Sequence, residues 1–154
     1  DLKNIKNSFD YNFYNYNTND HRHICEIYQE LKKNTVNKIN LSFNPHILPI
    51  FRGLMSTIYC DLKANIDHKE IYDSIKKFYF EDHFVNLLNE NEIADFFSVQ
   101  NTNKCQIKLF KHHSKDKIIL VSVIDNLIKG AAGQAVQTFN INSKLDVRMG
   151  LIDL

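Results

Sequence analysis

The sequence predicts an α+β fold: a mixed, mostly antiparallel sheet with helices on one face. Three observations predict it. Two β-forming runs, 106–110 and 118–124, flank the charged stretch Lys111–Lys117, which is the pattern of a hairpin. Apolar residues recur at helical spacing in Ile24, Ile27, Tyr28 and Leu31, and again in Ile71, Ile75, Phe78 and Tyr79. Further β-prone segments, at 9–16, 39–43, 54–62 and 85–88, are interspersed with these helices.

The 154 residues suffice for one domain with a real core, and 44% hydrophobic with 24% charged is ordinary for a globular chain. A net charge of +1 gives no bulk attraction for nucleic acid or an anionic membrane. No apolar run approaches the roughly 20 residues that span a bilayer. No signal peptide is read in the opening residues. Because residue 1 is Asp rather than Met, the start is expected to be processed, cut or incomplete. Cysteines stand only at 25, 60 and 105, with no CxxC pair. That odd, sparse set fits a reducing cytosol better than a disulfide framework, so a cytoplasmic location is expected. Arg occurs only at 22, 52 and 148, Pro at 45 and 49, and Gly at 53, 130, 133 and 150. Most of these scarce residues fall in the three motifs described below.

In chain order, Phe9, Tyr11, Phe13, Tyr14 and Tyr16 near-alternate with polar residues and read as a strand. Asn17–Asp20 is a turn cluster, followed by His21-Arg22-His23. If that segment is extended, His21 and His23 share a side with Arg22 opposite. Glu26 then sits in the first turn of a helix, where the dipole favours an acid. A His pair as a metal site lacks a third ligand nearby, so no metal is expected. Ile39, Leu41 and Phe43 alternate as a short strand. Asn44–Gly53 is an irregular connection stiffened by two prolines and carrying His46 and Arg52. Leu54–Leu62 reads as a strand. Asp67 with Glu70 forms a capping-box variant before the second helix, whose Lys76 and Lys77 face solvent. Val85–Leu88 is a short strand, Asn89–Glu92 a turn, and Cys105 opens the strand through Phe110. His112 and His113 sit in the charged loop and are expected in solvent.

After the strand 118–124 the chain turns through Asp125-Asn126 and enters Gly130-Ala131-Ala132-Gly133-Gln134-Ala135. Gly inside a helix costs about 0.5–1 kcal/mol against Ala, so two in one turn need a reason. Tight helix–sheet packing and close approach to a cofactor are both open.

The string Ser122-Val123-Ile124-Asp125-Asn126-Leu127-Ile128-Lys129-Gly130-Ala131-Ala132-Gly133-Gln134-Ala135-Val136-Gln137 resembles the C-terminal signature of the N-acetyl-gamma-glutamyl-phosphate reductases. His21–Ile27 and Pro45–Gly53 resemble two further motifs of that family, in family order and spacing. The resemblance covers about residues 9 to 151. It implies a C-terminal domain like that of glyceraldehyde-3-phosphate dehydrogenase, with residues 1–125 as catalytic and dimerisation domain. Residues 126–154 would then be a helix and tail packing on a nucleotide-binding portion that has no counterpart here. The strands after residue 105 would form a dimer sheet, in a homo-oligomer that is a dimer or tetramer. The small-residue face of 130–137 would be exposed, or covered by a partner.

The activity implied is NADPH-dependent reduction of N-acetyl-gamma-glutamyl phosphate to N-acetylglutamate semialdehyde, in arginine biosynthesis. A Cys thiolate attacks the acyl phosphate, phosphate leaves, and the thioester is reduced by hydride. By resemblance His21 is the catalytic acid–base group, oriented by Glu26, with His23 as second choice. Arg22, His23, His46 and Arg52 are the substrate-binding candidates, since guanidinium forks suit both carboxylate and acyl phosphate. Asn126 would lie near the nicotinamide, and Gly130 would let the helix start approach the NADP cofactor. Two departures stand out. The family's Thr-Pro helix start is Ile24-Cys25 here, and a common family Gly is Asn101, a residue that tolerates a left-handed backbone. None of the three cysteines matches the family's nucleophile, so the 154 residues alone are expected to be inactive. The alternatives are a non-catalytic association module and a truncated remnant of the reductase.

Overall fold

The computed structural model describes residues 12–151. These fall into two compact units that divide between Phe51 and Arg52.

In the first unit, β1 (Tyr14–Asn15) pairs antiparallel with β2 (His46–Ile47), in the register Tyr14↔Ile47 and Asn15↔His46. The strand expected over 9–16 is therefore reduced to two residues within the described part, and Phe9 and Tyr11 lie outside the described residues. The strand expected at 39–43 does not form, and the ladder lies three residues later. The reason is local. Asn19 donates its N–H to the Phe43 carbonyl at 2.9 Å, and its Oδ1 accepts from the Phe43 N–H at 3.0 Å. Phe43 thus spends its backbone groups on the turn around Asn17–Asp20, where Asn17 and Asn19 take positive φ. Helix α1 (His23–Lys33) starts from Arg22, itself helical in backbone, with no side-chain cap at that position. This is what the missing Ser/Thr-type start signal leads one to expect.

The second unit is built on a four-stranded sheet of order β3-β6-β5-β4. Its strands are β3 (Leu54–Asp61), β4 (Val85–Leu87), β5 (Cys105–Lys111) and β6 (Lys117–Ile124). β5 and β6 form the expected hairpin around the charged loop, and β6 pairs along its whole length with β3. β4 runs parallel to β5, so the sheet is mixed and mostly antiparallel. A parallel partner cannot be reached by a hairpin, and residues 88–104 supply the crossover. Helix α2 (His68–Phe78) has the capping box read from the sequence: Asp67 accepts from the Glu70 N–H, and Glu70 accepts from the Asp67 N–H, both at 2.9 Å.

Period-2 alternation sorts the sheet into two faces. On one, Ile107, Leu109 and Ile118 are buried beneath Ile71, Tyr72, Ile75 and Tyr79 of α2. On the other, Gln106 accepts from the Asp95 N–H, and the buried Lys108 donates its Nζ to the carbonyls of Glu90 and Glu92. The crossover therefore covers β5 on that face, while Met55, Tyr59 and Phe110 are left exposed. After β6 the chain makes a π-helical turn, Ile128–Ala132, with hydrogen bonds from Gly130 to the Asp125 carbonyl and from Ala132 to that of Leu127. It continues as α3 (Gly133–Asn142). Among the described residues no helix is long and apolar enough to cross a membrane.

Candidate functional site

The candidate residues fall in two constellations, one in each unit. In the first unit, His21 is half-buried immediately before α1. Its Nδ1 accepts a hydrogen bond from the His23 backbone N–H at 3.2 Å. Accepting there leaves the proton of the neutral ring on Nε2. Nε2 lies 3.4 Å from the Tyr16 hydroxyl, and the rings of Tyr16 and Phe43 flank the imidazole with centroids 5.4 Å from its own. His21-Arg22-His23 is not extended, because Arg22 already takes a helical backbone. The two His rings still meet, edge-on at 4.6 Å, because the first helical turn folds His23 back over His21. Arg22 and Glu26 are exposed, and among the described residues no hydrogen bond joins Glu26 to His21. His46 is exposed, stacks on Phe13 at 5.2 Å, and donates from Nδ1 to the Asn44 carbonyl at 3.0 Å. Its Nε2 is therefore an acceptor in the neutral ring, the opposite of His21.

In the second unit, Arg52, Asn101, Asp125 and Asn126 form a knot at the ends of β3 and β6. Arg52 Nη2 donates to Asp125 Oδ1 at 2.8 Å, and Nη1 donates to Asn101 Oδ1 at 3.1 Å. Asp125 is fully buried. Its Oδ1 also accepts from the N–H groups of Leu127 at 2.9 Å and Ile128 at 3.0 Å, and its Oδ2 from that of Asn101 at 2.8 Å. Burial by itself would raise the Asp125 pKa. The Arg52 guanidinium and these backbone donors outweigh it and hold the carboxyl below its ordinary value. Asn126 Oδ1 accepts from the Gly53 N–H at 2.8 Å. Among the described residues the Asn126 carboxamide nitrogen has no protein partner. Asn101 takes φ +62°, the left-handed conformation its place in the turn requires.

The two glycines of the small-residue segment differ. A Cβ on Gly133 would stand 2.4 Å from Asn103 Oδ1 and 2.6 Å from Ile128 Cγ2, so intrachain packing demands that glycine. A Cβ on Gly130 would meet nothing closer than 3.5 Å, and Gly130 is exposed. Among the described residues no group of three or more His, Cys, Asp or Glu side chains could hold a metal.

The family model of the semialdehyde dehydrogenase dimerisation domain matches residues 2–126. The chain belongs to that family. It is 47% identical over 131 residues to the N-acetyl-gamma-glutamyl-phosphate reductase of Clostridium botulinum strain Alaska E43, covering 84% of this chain and 38% of the relative. Against the reductase of Caldicellulosiruptor bescii it is 41% identical over 143 residues, 93% of this chain and 41% of that one. A probable chloroplastic reductase of Arabidopsis thaliana is 36% identical over 126 residues, 82% and 31% of the two chains. This semialdehyde dehydrogenase dimerisation domain therefore spans about two fifths or less of the relatives it matches. Among solved structures, aspartate semialdehyde dehydrogenase II from Vibrio cholerae aligns with a TM-score of 0.55 at 19% identity, over 66% of this chain and 30% of that one. That likeness concerns the fold.

Two functional-looking residues of the domain escaped the sequence reading. Asp125 looked like a turn residue, and nothing local tells that its partner lies 73 residues away. Lys129 stood in the motif string with no role assigned to it. Its Nζ donates to Gln137 Oε1 at 2.8 Å and lies over the Phe84 ring at 5.3 Å, with burial pushing its pKa down. The Gln137 oxygen also accepts from buried Asn103, which anchors the start of α3. The spacing of Lys129 and Gln137, two turns apart on one helical stretch, was the one available hint.

Proposed function

We propose that this chain is the C-terminal catalytic and dimerisation portion of a reductase that converts N-acetyl-gamma-glutamyl phosphate to N-acetylglutamate semialdehyde with NADPH, in the cytoplasm. The observation that carries the reading is 47% identity over 131 residues to a reductase of that name. Residues 126–154 then form the helix and tail that pack on the nucleotide-binding portion.

In this reading His21 is the acid–base group. Its Nε2–H, which faces the Tyr16 hydroxyl at 3.4 Å, suits a donor to the oxygen on which negative charge develops. Glu26 supplies a negative charge one turn away. Arg22 and His23 contribute donors and charge to the anionic substrate, and His46, whose Nδ1–H is spent on the Asn44 carbonyl, donates to it from Nε2 only as the imidazolium. Arg52 contributes the planar face and remaining N–H groups of a guanidinium already fixed by Asp125 and Asn101. The cofactor fits what the second unit offers. Asn126 has a carboxamide nitrogen free to donate, and Gly130 presents an exposed backbone with no side chain between it and a ligand. NADPH supplies the hydride, and most of its binding falls to the portion outside this chain. The exposed Met55, Tyr59 and Phe110 face is the surface through which the domain would form a homo-oligomer.

The test uses the 154 residues alone, given NADP⁺, phosphate and N-acetylglutamate semialdehyde. The expected result is no NADPH signal, because the reading assigns the thiol nucleophile and the Gly-rich nucleotide turn to the missing portion. Turnover by the isolated chain that is abolished by Cys25→Ser would overturn it and make Cys25 the nucleophile.

A further inference from the structure

We infer that Asp125 is a positioning residue that sets the attitudes of Arg52 and Asn126 together, so that the substrate-side and cofactor-side groups of the second unit move as one piece. The inference rests on the proposed function for the roles of Arg52 and Asn126, and on geometry for the coupling itself.

The geometry is specific. The chain enters the sheet at Arg52-Gly53 and leaves it at Asp125-Asn126, and the two dipeptides are cross-tied. Asp125 holds the Arg52 side chain, and Asn126 holds the Gly53 N–H. The ties are set from one centre. The Asp125 carboxylate accepts from Arg52, Leu127 and Ile128 at Oδ1 and from Asn101 at Oδ2. Leu127 and Ile128 directly follow Asn126. Fixing their amides fixes the backbone from which the Asn126 carboxamide projects. On the other side, Gln100 donates to the Arg52 carbonyl at 2.7 Å and Asn101 accepts from its guanidinium. Asp125 reaches both, through Arg52 itself and through the Asn101 amide. Gly53 completes the piece: with φ +138° and a Cβ that would fall 2.2 Å from the Phe96 ring, it admits no side chain and no slack. A fully buried carboxylate that gathers four donors is a costly way to close a turn. A carboxylate that also aims a guanidinium and a carboxamide accounts for the whole arrangement.

The experiment has two arms, both on the full-length protein containing this chain. In the first, amide hydrogen exchange compares wild type, Asp125→Asn and Leu109→Ala, the last a core truncation under α2 that leaves the knot alone. The Gly53 amide bonds to Asn126 and not to Asp125, so its protection reports the coupling. The expected result is exchange at Gly53, Leu127 and Ile128 faster by about tenfold or more in Asp125→Asn, with no such selective change in Leu109→Ala. Gly53 protection that survives Asp125→Asn overturns the inference. If Asp125→Asn does not fold, Asp125→Glu keeps the charge while displacing the carboxylate, and the same Gly53 readout decides. In the second arm, Asp125→Asn should raise KM for both the acyl phosphate and NADPH by about tenfold, whereas Arg52→Lys raises only the first. An Asp125→Asn enzyme with wild-type KM values and only a lower Tm, as in Leu109→Ala, also overturns it. Should the wild-type protein turn over no acyl phosphate, the functional reading fails and the exchange arm still decides the coupling.

Discussion

The backbone N–H of His23 donates to Nδ1 of His21 at 3.2 Å, so a side chain caps the start of α1 from one residue outside the usual position. This predicts a split between two substitutions. Asn places an oxygen where Nδ1 stood, so His21→Asn should keep the helix start. His21→Ala removes the acceptor and should cost about 0.5–1.5 kcal/mol, the range of a lost cap. Urea denaturation of the two variants measures the difference, and equal stabilities would show that the contact does not hold the helix.

Gly130 and Gly133 should respond oppositely to Ala. Gly133→Ala drives a methyl group into Asn103 and into the Ile128 side chain and carbonyl, and should destabilise by about 1–3 kcal/mol. Gly130→Ala meets only ordinary contacts and should be neutral or stabilising by up to about 1 kcal/mol. If Gly130 faces the cofactor, that same variant should raise KM for NADPH in the full-length enzyme. Thermal melts with NADPH kinetics check both halves.

Gly53→Ala combines a positive φ with a collision against Phe96. Strain and overpacking together should cost about 2–5 kcal/mol. Chemical denaturation gives the value, and a near-neutral result would mean that the Phe96 ring yields freely.

Asp125 makes stability depend on acid. Its carboxyl is held below the ordinary 3.8, so the charged form stabilises the fold. A depressed carboxyl contributes stability that is complete above the unfolded-state pKa and disappears as pH falls through the folded one. At neutral pH Asp125→Ala should cost about 3–5 kcal/mol, because it leaves Arg52 without its partner. The gap between wild type and Asp125→Asn should narrow as pH falls below 3.8. Denaturation midpoints at a series of pH values measure it, and a gap independent of pH would contradict the ion pair.

What was legible in the sequence was local. Asp67 and Glu70 announce a capping box, the run 118–124 announces a strand, and Asn101 announces a left-handed turn; each is decided by atoms a few residues apart. The segment 39–43 has the right alternation, but Asn19 takes the backbone groups of Phe43, and that competition comes from 24 residues away. The candidate site divides the same way. His21 and His23 were legible as a pair, though their meeting depends on a helical turn that alternation could not foretell. Arg52 was legible as a rare guanidinium. Its partner Asp125 was not, because a buried ion pair between the start of one strand and the end of another has no sequence period.

The central claim is that this chain supplies the acid–base His to NADPH-linked reduction of an acyl phosphate. The most direct measurement is NADP⁺ reduction by the full-length protein with N-acetylglutamate semialdehyde and phosphate, wild type against His21→Asn, at fixed pH. The account predicts phosphate-dependent NADPH formation by the wild type and a kcat about 10²–10⁴-fold lower in His21→Asn, with NADPH binding almost unchanged. No phosphate-dependent signal from the wild type, or an undiminished kcat in His21→Asn, would contradict it.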